Sequence, residues 1–133
     1  MAGSKTDLLE NEVMRLMTGQ TLATLSFPIT PWLALFSVVP TDAAGGTEIV
    51  TSGQSRVNAS GKFAAPSGGS IVTSAAIDFP TVTGSGITIV GVACFDASTS
   101  GNMVWWYDVA STPISVGQFA RIVSGTGITI TEA

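Results

Sequence analysis

Residues 84–108, GSGITIVGVACFDASTSGNMVWWYD, decide the fold. The stretch opens on glycines and runs for about ten residues in strand-like alternation. It then crosses a polar segment with glycine near its end and returns through a second apolar, aromatic run, which is the pattern of a β-hairpin. Strict alternation predicts that Ile87, Ile89, Gly91, Ala93 and Phe95 share one face of the first strand, opposite Thr88, Val90, Val92 and Cys94. On the returning strand Met103, Trp105, Tyr107 and Val109 share a face, opposite Val104, Trp106 and Asp108. Both faces of the first strand are largely apolar or small, as suits a central strand covered on both sides.

Outward from this hairpin, the chain reads as repeated short strands with glycine-rich turns. A strand is expected at 32–37, and TDAAGGTE at 41–48 has the chemistry of a surface turn after Pro40. Short strands follow around 49–52, 56–59, 62–64 and 70–79, separated by Gly53, Ser60-Gly61 and the Pro66-Ser67-Gly68-Gly69 run. After the hairpin, Thr112-Pro113 starts another strand, and 118–123 and 127–131 supply the last two. GSGITIV at 84–90 recurs as GTGITIT at 125–131, and both read as a turn feeding a strand. The expected fold is therefore mainly β: an antiparallel β-sandwich or flattened barrel with one short N-terminal amphipathic helix. It is a single domain over 1–133, with a helical arm at 1–20 and the sandwich at 21–133.

Residues 1–20 carry that helix. Leu9, Val13, Leu16 and Met17 follow helical spacing, and five of the fourteen charged residues occupy the remaining positions. Ser4 or Thr6 is placed to cap its start and Gly19 to end it. Leu8, Leu9, Val13, Leu16 and Met17 need a partner surface, on the chain's own sheet, on a sister subunit or on a larger assembly. The opening MAGSKTD has no apolar core of the kind a secretory signal needs. The charge-free run 16–41 is interrupted by Pro28 and Pro31 and by scattered hydroxyls, so it is read as a loop and a strand and not as a membrane span.

Composition narrows the function. Charged residues make up 11% of the chain against about a quarter in ordinary soluble domains, so much of the surface must be Ser, Thr, Gly, Ala and exposed apolar groups, which favours association. Net charge is −4 with no basic run, which argues against nucleic acid as a partner. The single cysteine, Cys94, cannot form an intramolecular disulfide and reads as a small core residue. Histidine is absent, so His-dependent triads and His-ligated zinc are ruled out. Asp96 and Asp108, at the ends of the hairpin, are the best candidates for a catalytic carboxylate pair, yet both read more simply as turn or surface acids. No D-x-D-x-D-G calcium loop exists, and Gly45-Gly46, Gly68-Gly69 and Gly84-Ser85-Gly86 lack the lysine and helix of a phosphate loop. No catalytic residue, cofactor or metal ligand is therefore expected. Trp105, Trp106 and Tyr107 suit either core and subunit packing or a platform for a sugar ring. As neighbours in a strand they must point to opposite faces.

LALFSVVPTDAAGGTEI at 33–49, SGQSRV at 52–57, DFP at 78–80 and ITIVGVACFDASTSGNMVWW at 87–106 resemble small tailed-bacteriophage virion structural proteins of the tail-fibre and head-decoration type. The likeness rests on the PTDAAGGTE loop, Arg56, the turn at 67–70, Phe79-Pro80, Phe95-Asp96-Ala97 and Gly101-Asn102, and it runs over about residues 6–131. It implies a non-enzymatic virion protein of the capsid decoration (cement or head-fibre) type. The alternative is a tail-fibre or tail-tip component contacting the host surface. The partners it implies are other copies of the chain, as a homotrimer or other small homo-oligomer, and the major capsid protein or other virion proteins. A host-surface glycan joins them if the chain is a tail fibre, and neither nucleic acid nor membrane is expected. The location implied is the virion, on the capsid exterior or tail. The interface candidates are Leu8, Leu9, Val13, Leu16, Met17, Trp105 and Trp106.

Overall fold

A computed structural model describes residues 3–133 and places the hairpin at the centre. Ten elements follow in chain order: β1 (Gly3–Lys5), α1 (Asp7–Met17), β2 (Trp32–Val38), β3 (Thr47–Glu48), β4 (Val57–Asn58), β5 (Ile77–Asp78), β6 (Ile87–Phe95), β7 (Met103–Ile114), β8 (Ala120–Ile122) and β9 (Ile130–Glu132). They form a six-stranded antiparallel sheet in the order β1-β7-β6-β2-β3, with β4 also on β2, and a three-stranded sheet in the order β5-β8-β9. The sheets do not close on themselves, so the expected sandwich is present and the barrel is not.

The small sheet covers one face of the large one. Leu33 and Leu35 of β2, Ile89, Val92 and Cys94 of β6 and Ile114 of β7 pack there with Ile77, Ala120 and Ile122, all almost inaccessible to solvent. A second, smaller cluster of Ala34, Phe36, Ala93, Phe95 and Met103 occupies the opposite face, joined by Trp32 and Trp106. Phe36 and Phe95 stack there with ring centroids 6.3 Å apart. The central strand is buried on both sides, as its apolar faces predict.

The alternation of side chains is not the simple one. Ile87 and Ile89 face the same core as Val92 and Cys94, so the side chains change face partway along β6. The pairing register explains it: from Ile89 to Gly91 β6 advances two residues while β7 runs four, from Thr112 to Asp108. An irregularity of this kind re-aims every following side chain. A second shift opposite Phe95 leaves Val104 extra on β7. The main chain there is used: Thr6 N–H and Oγ1 both donate to Val104 O, at 3.0 Å each, and Oγ1 also donates to Met103 O at 2.8 Å.

Several boundaries move. Residues 3–5, expected in the helix, form β1, because main-chain pairing with Trp105, Trp106 and Tyr107 satisfies their polar groups on the exposed edge of β7. Residues 1 and 2 of the expected helix lie outside the described residues. Thr6 is the N-cap, its Oγ1 accepting from Leu9 N–H at 3.4 Å. At the other end Gly19, at φ +78°, lets Gly19 N–H reach Leu16 O and Gln20 N–H reach Arg15 O, closing the helix. The strand expected to start at Thr112-Pro113 is the far end of β7. Among the described residues β6 is the one strand hydrogen-bonded to β7 there, and a sheet edge tolerates a proline. The strands expected at 62–64 and 70–79 shrink to a Phe63–Thr73 bridge and to β5. The strand expected at 49–52 gives way to β3, two residues earlier. The GITI echo has a plain cause: Gly84 and Gly125 sit at φ +77° and +76°, each turning the chain into the core residues Ile87 and Ile89 or Ile128 and Ile130.

Gly91 marks the crossover, and a Cβ there would lie 2.7 Å from Pro40 Cδ. Gly91→Ala should therefore lower unfolding stability by about 1–3 kcal/mol. Chemical denaturation checks this, and an unchanged midpoint would show that Pro40 yields freely.

Candidate functional site

The two carboxylates considered for catalysis do not meet. Phe95 pairs with Met103 and Gly91 with Asp108, so Asp96 and Asp108 are separated by about five residues along the hairpin. At about 3.3 Å per residue that is roughly 16 Å, against the roughly 5–9.5 Å of a glycosidase pair. Asp96 is occupied by the turn: its oxygens accept from Asn102 N–H at 2.7 Å and Asn102 Nδ2 at 3.0 Å. Gly101, at φ +72°, completes that turn, where a Cβ would lie 2.6 Å from Asp96 Oδ1. Among the described residues no three acidic or cysteine side chains converge as metal ligands. Cys94 is fully buried, and desolvation pushes its thiol up to about 12, which makes it an inert core group.

Arg56 ties this turn to the rest. Its guanidinium donates to both oxygens of Glu48, at 2.9 and 3.0 Å, and to the carbonyls of Ala97 and Ser100, at 3.0 and 2.6 Å. It also lies 3.6 Å over the centroid of the Phe95 ring. One side chain thus holds β3, the hairpin turn and the second core cluster, the planar-fork role that lysine cannot fill. The PTDAAGGTE loop is equally structural. Trp106 Nε1 donates to Asp42 Oδ1 at 3.0 Å, and Asp7 N–H donates to Asp42 O at 2.9 Å. Arg56 and the PTDAAGGTE loop are therefore knots of the fold.

The helix is turned differently from its apolar spacing. The residue it buries is Glu12, 1% exposed. Its carboxylate accepts from three consecutive N–H groups, Ala23 at 3.1 Å, Thr24 at 3.1 Å and Leu25 at 2.9 Å, with Arg15 Nε 3.6 Å away. The Leu25 N–H bond above all holds the carboxyl below its usual value. Burial opposes this, and the Thr24, Ala23 and Arg15 contacts add to it. Leu8 and Leu9 are half-buried, whereas Val13, Leu16 and Met17 are exposed, Met17 at 78%, together with Met14. Periodicity cannot reveal an acid that serves as a main-chain acceptor. The available signal was Glu12 on the same side of the helix as Leu8 and Leu9.

The aromatic run splits as strand geometry requires. Trp105 and Tyr107 meet edge to face at 5.6 Å, and Phe63 meets Trp105 in the same way at 6.0 Å. Trp106 points to the other face, onto the second cluster. Of the interface candidates, Leu9 and Trp105 line one cleft of about 380 Å³, and Leu8 lies apart in a hollow beside Phe95 and Met103. Val13, Leu16 and Met17 join neither.

This is a β-sandwich whose distinctive residues build turns and present surfaces. The family model for Podophage GP4 fiber I protein gp80 matches residues 4–131. The chain belongs to that family, and it is a virion-associated structural protein of a bacteriophage. No curated protein matches it. No helix among the described residues is long and apolar enough to cross a membrane.

Two outcomes are expected. Arg56→Ala should cost about 3 kcal/mol, since it leaves Glu48 partly buried without its partner. Urea denaturation checks this, and a loss near zero would remove Arg56 from its central role. The lowered Glu12 carboxyl contributes stability that is complete above its usual value of 4.5 and is lost as the pH falls through the lowered folded value. Hydrogen exchange, corrected for intrinsic rates, should show the Ala23, Thr24 and Leu25 amides losing protection with acid before those of β6. Glu12→Gln should loosen the same amides at neutral pH.

Proposed function

We infer that the chain is a non-enzymatic structural subunit of the capsid decoration (cement or head-fibre) type, attached to the virion through the outward face of α1. The observation that carries this reading is that α1 turns Glu12 inward and leaves Val13, Met14, Leu16 and Met17 exposed as a contiguous apolar surface. A chain with so few charges gains stability from neighbours that cover such a surface. The partners are the major capsid protein or another virion protein, together with further copies of the chain in a homotrimer or other small homo-oligomer. A structural role without chemistry is supported by the absence of histidine and by an Asp96 whose oxygens are committed to its own turn.

A second reading, a tail-fibre or tail-tip component contacting the host surface, draws on the fibre in the family's description. Copy number per virion, measured by quantitative mass spectrometry against the major capsid protein, separates the two. A simple fraction of the capsid subunit count supports decoration, and a few to a few dozen copies support the tail.

Docking has its own test. The double variant Val13→Asp, Met17→Asp alters exposed positions, so stability should move by no more than about 0.5 kcal/mol per site. Its occupancy on assembled particles should fall to a small fraction of the natural protein's. Full occupancy would remove the helix from the attachment.

A further inference from the structure

A cleft of about 380 Å³ lies beside β1. Trp105 and Tyr107 form one wall, their rings perpendicular, with Trp105 braced by the edge contact from Phe63. Leu9 and Ile71 complete the apolar lining, and Ser4, Lys5 and Gly69 supply the polar part. Lys5 is exposed and stands directly opposite Trp105 in the strand register. Arg15, Arg56 and Arg121 each meet a carboxylate, and Lys62 acts on Asp78. Among the described residues Lys5 is in no ion pair, and no acid lines the cleft. In a chain of net charge −4, the cleft thus places one cation beside half-buried aromatic surface.

We propose that this cleft binds a pyranose sugar carrying an anionic group, a carboxylate or a phosphate. One of the two perpendicular rings offers its flat apolar surface to the C–H face of the sugar while the other borders the sugar's edge, and the braced Trp105 loses little freedom on binding. The Lys5 ammonium meets the anion in a charge-assisted hydrogen bond. A wholly apolar ligand would leave the Lys5 charge unused, and a neutral sugar would gain only the stacking. The site stands whether the subunit sits on the head or on the tail.

The test is a titration of the full chain with trigalacturonate, the matching neutral galactose trisaccharide and galactose 6-phosphate, read by amide resonances and tryptophan fluorescence. The acidic trisaccharide should bind about tenfold tighter than the neutral one, the worth of one charge-assisted hydrogen bond. That preference should shrink at about 0.5 M salt, where exposed charges are screened. Lys5→Ala should abolish the preference and leave the neutral sugar's weak binding unchanged. Because Trp105→Ala removes a braced core neighbour, Leu9→Trp, which fills the cleft from its rim, is the second variant, and it should abolish binding of all three. The phosphate arm identifies the anion: tighter binding of galactose 6-phosphate than of the neutral sugar supports the site equally. Equal affinity for acidic and neutral sugars, a preference that survives Lys5→Ala, or no shift at Lys5, Trp105 or Tyr107 with any of the three would overturn the proposal.

Discussion

The whole molecule depends on a central strand that is buried on both faces yet changes which side chains it sends to each. β6 can satisfy two cores only because its ladder with β7 slips between Ile89 and Gly91, carrying Val92 and Cys94 to the large core and Ala93 and Phe95 to the small one. Without the slip, Ile87 and Ile89 would share a face with Ala93 and Phe95, and the large core would lose two of its four β6 residues. Gly91 sits at the crossover because Pro40 presses against the backbone there. The first strand of the large core and the loop that covers the second are thus set by one local irregularity.

Around this strand the charges are spent on joining segments. Arg56 joins β3 to the hairpin turn, Arg121 pairs with Asp78 across β5 and β8, and Glu12 gathers the main chain at 23–25. Each links pieces distant in sequence, where apolar contact alone would leave the approach of the two segments loosely fixed. This is how a chain with few charges obtains defined loops: Glu12, Arg56 and Arg121 each make several bonds at once.

The hairpin, the two-sided burial of β6, the sandwich and the turning glycines could all be read from residues, because alternation and left-handed glycine positions are local properties. What could not be read depends on distant partners. β1 exists because the edge of β7 offers Gly3, Ser4 and Lys5 a ladder, and nothing in GSK itself announces a strand. The face swap arises from a register mismatch between two strands, invisible in either one alone. Val13, Leu16 and Met17 follow helical spacing, but spacing reports a stripe and not what covers it. For the cleft, Trp105 and Tyr107 stood out at once, whereas Lys5 was legible only as a helix charge until β1 set it beside the ring.

The way α1 holds the segment after it has a consequence for how the sequence can drift. Glu12 recognises Ala23, Thr24 and Leu25 through their N–H groups and touches none of their side chains in doing so. The grip is therefore indifferent to the identities at 23 and 24, with one exception: proline, which has no N–H to offer. Relatives can diverge freely in the letters of this loop and still fold it the same way, so the constraint would be written at position 12, on the helix, while the loop it governs looks unconstrained.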